Sequence, residues 1–191
     1  MEPEIGPHRH RLLTGLTGRV VEVGAGNGLN FAHYPTSVTH VLAVEPEPHL
    51  RGLAERAAAR ADVPVEVIDG DASRLPLADA SIDAAVTSLV LCSVTDLAQA
   101  LAEIRRVLRP GGELRFFEHV GADTPWLARI QHSLDATVWP RIAGGCHTGR
   151  DTTGAIEAAG FSIDKLERFR LPDVRMPLPT SPHVLGTAQL D

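Results

Sequence analysis

Val20-Val21-Glu22-Val23-Gly24-Ala25-Gly26-Asn27-Gly28 joins an apolar run to glycines at every second position. The stretch reads as a strand that turns sharply against a ligand. Gly24, Gly26 and Gly28 lack Cβ atoms, so the backbone can take positive φ there and come close to a bound molecule. A dinucleotide fingerprint needs its third glycine at position 29, which holds Leu29, and pyrophosphate binding is therefore disfavoured. Seventeen residues after Gly28, the apolar run Thr39-His40-Val41-Leu42-Ala43-Val44 ends in Glu45. A carboxylate at that point can accept both hydroxyls of a ribose, and the two strand ends outline a nucleoside-shaped site.

Outward from this pair, short apolar runs alternate with helical patterns, the signature of a mostly parallel sheet covered on both faces. Asn30 to Tyr34 begins a short helix that Pro35 ends. Pro48 suits a first helical turn, and Leu50, Leu53, Ala54, Ala57 and Ala58 carry a helical stripe to about Ala61. Strands are expected over Val63 to Ile68 and Asp83 to Ser88. A helix is expected over Leu97 to Leu108, stopped by Arg109-Pro110-Gly111-Gly112 before a strand from Glu113 to His119. A helix from Pro125 to about Val138, a glycine-broken loop from Ala143 to His147 and a helix from Arg150 to Ala159 follow. Phe161 to Phe169 and Pro182 to Gln189 close the chain as an antiparallel pair. The expected fold is α/β and Rossmann-like, a seven-stranded mostly parallel sheet with one antiparallel strand and helices on both faces.

The 191 residues fit one domain, and 24 acidic against 18 basic side chains give a net charge of -6 that argues against a nucleic-acid surface. Two cysteines, Cys92 and Cys146, supply neither a disulfide framework nor a four-cysteine zinc site, so no metal is expected and a reducing cytoplasm is the simplest setting. The opening residues have no apolar signal core, and no stretch approaches the roughly 20 apolar residues of a membrane span.

Four motifs occur in order: VEVGAGNG at 21–28, Glu45, GDASRLPLADASIDAAV at 70–86 and LRPGG at 108–112. Together they resemble those of the class I S-adenosylmethionine-dependent methyltransferases over roughly Gly18 to Ala188. Within that superfamily TSLVLCSV (87–94), FFEHV (116–120) and GGCHTGRD (144–151) most resemble the methyltransferase-like 7 group, whose characterised members are thiol methyltransferases. Quinone and other small-molecule C-methyltransferases are the nearer general relatives. The resemblance implies S-adenosylmethionine as cofactor, S-adenosylhomocysteine as product and a small-molecule acceptor. Animal members carry an N-terminal membrane anchor that these opening residues do not resemble, so stable membrane insertion is not expected.

Position by position, the resemblance puts Gly24, Ala25, Gly26 and Gly28 under the methionine part of the cofactor, with Glu22 accepting from its ammonium directly or through water. Glu45, followed by Pro46, corresponds to the residue that holds the ribose hydroxyls. Asp71 and Ala72 correspond to the pair facing the adenine amino group, and Ser88 and Leu89 to the strand end beside the sulfonium. One domain over residues 1–191 is expected, with 1–17 as a helical cap and 123–150 as a substrate lid.

Methyl transfer from a sulfonium is a direct displacement, so catalysis rests on alignment and exclusion of water. A thiol acceptor with pKa about 8.5 needs modest help to ionise, whereas a hydroxyl or carbon acceptor needs a stronger base. The candidates for that help are His119, His147 and Asp135, and His132, Cys146 and Arg150 are candidates for substrate contact. Each has a bland alternative. His119 could hydrogen-bond the chain end, His132 and Asp135 could pair on a helix surface, Cys146 and Cys92 could be buried packing, and Arg150 could support its own helix. Trp126, Trp139 and Phe117 are read as core or pocket wall. The leading reading is methyl transfer with a thiol acceptor favoured; a quinone, ring-carbon or amine acceptor and a non-catalytic cofactor-binding module are the alternatives.

Overall fold

The computed structural model describes residues 2–174 and 177–190. Among these residues seven strands form one sheet in the order β3-β2-β1-β4-β5-β7-β6. They are β1 (Gly18–Val23), β2 (Val38–Val44), β3 (Val65–Ile68), β4 (Ile82–Ser88), β5 (Leu108–His119), β6 (Phe161–Arg170) and β7 (Pro182–Leu190). The pairs β1–β2, β1–β4, β2–β3 and β4–β5 are parallel, and β7 runs antiparallel to both β5 and β6. The expected fold class is the one observed.

The period of two along each strand sorts side chains into two cores. On one face Val21, Val23, Ala85, Leu114 and Phe116 pack with Leu101 and Ile104 of α3 (Leu97–Val107) and Ile156 of α6 (Thr152–Ala158). On the other, Val20, Val41, Ala43, Val86 and Phe117 pack with Leu12 and Leu13 of α1 (Glu2–Leu13) and Ala54 of α2 (Pro48–Ala58). Caps fix where the helices begin. Glu47 accepts from the amides of His49 and Leu50 before α2, and Asp96 from that of Gln99 before α3.

Three expectations change. Leu108 already pairs with Ile82, but the next pair is Ala84 with Glu113, so Arg109 to Gly112 form a bulge within β5 rather than a turn ahead of it. Gly111, at φ 76, supplies the required left-handed residue. The helix expected from Pro125 to about Val138 ends at Asp135 as α4 (Pro125–Asp135), and a short α5 (Trp139–Ile142) follows it. Within the expected cap over residues 1–17 the helix occupies Glu2–Leu13 only, with Leu16 buried beyond its end. The connection from β6 to β7 includes residues 175 and 176, which lie outside the described residues.

Candidate active site

The glycine turn after β1 is tied to the end of β2. The amides of Gly24 and Ala25 both donate to the carbonyl of Val44, at 2.8 and 3.1 Å. The amide of Gly26 donates to Glu45 Oε2 at 2.8 Å, and that of Glu47 to Oε1 at 3.0 Å. Gly24, Gly26 and Gly28 stand at φ 69, 57 and 80, the left-handed region that side chains rarely adopt. A Cβ on Gly24 would come within 2.6 Å of Val90 Cγ2, whereas one on Gly26 would meet nothing within 4 Å. Gly26 therefore presents bare backbone to open space.

That space is a cavity of about 960 Å³ at the carboxyl ends of the parallel strands. Gly24, Gly26, Glu45, Pro46, Asp71, Ala72, Ser88 and Leu89 all line it. Glu45 is 5 % exposed, and its two amide bonds fix the carboxylate in place. Asp71 Oδ1 accepts from both the amide and the hydroxyl of Ser73, which hold its carboxyl below the ordinary range. Leu89 stands at φ 61, a strained conformation for a leucine, and its amide donates to Phe117 O at 2.7 Å.

The other expected cofactor residues lie behind the cavity. Glu22 shares a strand face with Val20 and points under the turn, where it is 2 % exposed. Its oxygens accept from Asn30 Nδ2 at 2.8 Å and Tyr34 Oη at 2.7 Å, and burial pushes its carboxyl up to about 7. Glu22 is thus a buried support of the turn and does not itself line the cavity. Ala25 packs into the core, and a Cβ on Gly28 would strike Phe31 and Ala57, so both shape the turn rather than face the cavity.

The lid candidates separate more sharply. Asp135 Oδ1 accepts from the Thr148 amide at 2.7 Å and hydroxyl at 3.0 Å, and Oδ2 from the Gly149 amide at 2.9 Å. Its carboxylate anchors the loop through these three bonds. His132, on the same helix, is exposed. Arg150 donates to the carbonyls of Leu91 and Val94 at 2.8 and 2.7 Å. Its partners are thus carbonyls of the loop after β4 rather than a carboxylate of its own helix. His147 Nδ1 lies 2.9 Å from Gly145 O and 3.2 Å from Arg150 Nη2, and the His147 amide donates to Cys92 O at 2.8 Å. Cys146 turns toward Cys92, with 3.7 Å between the sulfurs.

His119 lies against His183 with ring centroids 4.3 Å apart and planes tilted by 50°, and burial lowers its pKa to about 4. The ring is neutral at pH 7. His183 lines a second cavity of about 690 Å³, bounded by Val120 and Leu127, by Phe169 and Arg170 of β6, and by Trp126, which is 48 % exposed. Trp126 is a wall of this cavity and Phe117 a buried core residue. β6 runs parallel to β5, so this second cavity opens at the same end of the sheet as the first.

Sequence reading missed three supports. Arg9 of α1 donates to Ser88 Oγ at 3.2 Å and Asn30 Oδ1 at 2.8 Å, carrying a guanidinium to the end of β4. Glu118, fully buried, accepts from the amides of Val90 and Cys92 at 3.2 and 3.4 Å and so shapes the loop beneath the first cavity. Buried Gln131 donates to the carbonyls of Thr148 and Pro179 at 2.9 and 2.8 Å, joining α4 to two loops. A buried carboxylate at a strand end was the available signal for Glu118; nothing local marks the other two.

The Methyltransferase domain family matches residues 21–116. The human thiol S-methyltransferase TMT1B is 38 % identical over 92 % of this chain and 73 % of its own length. The ubiquinone/menaquinone biosynthesis C-methyltransferase UbiE of Rubrivivax gelatinosus is 31 % identical over 82 % of this chain and 57 % of its own. The crystal structure of an S-adenosylmethionine dependent methyltransferase from Mesorhizobium loti superposes with a TM-score of 0.71 at 22 % identity, covering 97 % of each chain, and is a likeness of fold.

Proposed function

The chain belongs to the class I S-adenosylmethionine-dependent methyltransferases, in the group of the thiol S-methyltransferases, and on that premise we propose that its methyl acceptor is a small apolar thiol. S-adenosylmethionine, when bound, supplies an electrophilic methyl group on a sulfonium, which an aligned nucleophile can take with S-adenosylhomocysteine as the leaving group. The first cavity suits it: bare backbone at Gly26, a fixed carboxylate at Glu45 and the strand ends at Asp71 and Ser88 surround one space large enough for a nucleoside. In this reading Glu45 accepts from the ribose hydroxyls, and Asp71 and Ala72 lie against the adenine. Gly24 and Gly26 let the amino-acid part approach, and Leu89 with Ser88 borders the sulfonium.

The second cavity takes the acceptor. Trp126, Leu127 and Phe169 give it an apolar wall. The imidazoles at this end of β5 and β7 are weak bases, because burial lowers both His119 and His183. Such groups help a thiol, already partly ionised near neutrality, but give a hydroxyl or ring carbon too little. The observation that carries the acceptor class is the 38 % identity with a thiol S-methyltransferase across nearly the full chain. Among the described residues no helix is long and apolar enough to cross a membrane. A cytoplasmic setting is part of the proposal, supported by the two free cysteines.

The test is incubation with labelled S-adenosylmethionine and a panel of small thiols, phenols and quinones, read by mass spectrometry. Methyl thioethers are the expected products. Methylation of phenols or quinones with thiols untouched overturns the acceptor class. Binding of S-adenosylhomocysteine without turnover on any acceptor would favour a non-catalytic module.

A further inference from the structure

The sulfurs of Cys92 and Cys146 approach to 3.7 Å although 54 positions separate them. Cys92 belongs to the loop after β4, whose neighbours Val90 and Ser93 line the first cavity, and Cys146 to the lid loop, whose Gly144 lines it from the other side. The two loops already touch through the His147 amide on Cys92 O and through Arg150 on Leu91 O and Val94 O. Gly144 and Gly145, at φ 60 and 86, give the lid loop conformations that other residues rarely reach. Neither cysteine has a part in methyl transfer as proposed above.

We propose that Cys92 and Cys146 form a reversible dithiol–disulfide site, oxidised by small hydroperoxides, that straps the lid loop to the loop beneath the cofactor cavity. Cys146 is the attacking sulfur. It is half-buried where Cys92 is 1 % exposed, and its contact with Cys92 pulls its thiol down to about 7 while pushing that of Cys92 up. The Cys146 thiolate attacks the hydroperoxide: an S–O bond forms, the O–O bond breaks, and the leaving oxygen takes a proton as water or an alcohol. Cys92 then attacks the sulfenic sulfur, an S–S bond forms, and the departing hydroxide takes the Cys92 proton as water. In sum, two thiols lose two hydrogens and one hydroperoxide becomes an alcohol and water. A dithiol reductant reverses the change.

The strap's effect on the cavity rests on the cofactor reading, whereas the sulfur chemistry does not, and the experiment separates them. The purified chain is titrated with hydrogen peroxide, and intact mass, thiol content and disulfide-linked peptides are measured before and after dithiothreitol. The expected result is loss of two hydrogens and of both thiols, a linked peptide pair holding Cys92 and Cys146, and full recovery on reduction. In Cys92→Ser the sulfenic acid of Cys146 accumulates and is trapped by dimedone. Intermolecular disulfides, direct passage to sulfinic acid or unreacted thiols in the wild-type chain overturn the site, whether or not the variant folds. Bound S-adenosylhomocysteine should leave the oxidised chain at least about tenfold more slowly, as expected when a lid is fastened. Equal release rates with the disulfide formed overturn the strap. Failure of the reduced chain to bind S-adenosylhomocysteine overturns the cofactor reading and leaves the mass result to decide the disulfide.

Discussion

The carboxylate of Glu45 and the amide of Gly26 meet at 2.8 Å, so the end of β2 and the glycine turn after β1 form one rigid corner of the first cavity. The same carboxylate also holds the Glu47 amide, the first step into α2. In Glu45→Gln an amide nitrogen replaces one acceptor and opposes one of these donors. Charged hydrogen bonds contribute about 1.5–3 kcal/mol each, so S-adenosylhomocysteine affinity should fall roughly 10- to 100-fold. Calorimetric titration checks this, and unchanged affinity would remove Glu45 from the cofactor's contacts.

Gly24 is the position where the turn leaves least room. A Cβ there would lie 2.6 and 2.8 Å from the two Val90 methyls, at a φ of 69. Gly24→Ala should therefore displace Val90 from the cavity floor, costing about 1–2 kcal/mol in backbone conformation alone. The expected outcome is a lower melting temperature with a larger loss of S-adenosylhomocysteine binding. Gly26→Ala, whose Cβ meets open space, should keep its fold better and lose binding by obstruction.

The sheet was legible because period-two alternation and glycine or proline punctuation are local signals, and the first cavity was legible because its walls are strand ends. The motif marks Glu22 as a residue near the glycine turn without saying which face of β1 it occupies; alternation turns it toward Tyr34. The anchoring bonds of Asp135 were not legible because its partners, Thr148 and Gly149, are distant in sequence. The second cavity escaped notice because β6 and β7 meet β5 out of chain order, bringing Phe169 and His183 beside Trp126. The Cys92–Cys146 contact escaped because it joins two loops 54 positions apart.

Leu89 combines a left-handed backbone with a place on the cavity wall. Truncation to alanine loses the side chain but keeps the strain, whereas glycine loses both. Leu89→Gly should therefore be the more stable of the two variants by about 1 kcal/mol, the reverse of the usual order. Chemical denaturation of the two proteins decides it. Greater stability in Leu89→Ala would show that the strain at this strand end is negligible.

Glu22 couples the glycine turn to pH. Burial raises its carboxyl from 4.5 to about 7, with the Tyr34 and Asn30 hydrogen bonds opposing that rise. Between those values the folded chain keeps a proton that the unfolded chain releases, so folding binds protons and stability falls as pH climbs through the interval. Below 4.5 both states are protonated and the contribution is fully present; above 7 both are ionised and it has been lost. The cost accumulated across the window is on the order of 3 kcal/mol. Glu118, also raised to about 7 by burial, acts in the same direction. His119, lowered to about 4, acts in the opposite one, losing stability as pH falls below its ordinary range. A bare melting curve against pH therefore mixes opposed slopes, and the difference between two proteins isolates Glu22. Glu22→Gln carries no titrating group, so its melting temperature relative to wild type should be distinctly higher at pH 8 than at pH 5, whatever fixed offset the amide's packing imposes. Parallel curves across that range would show that the carboxyl ionises at its ordinary pKa despite its burial beneath the turn.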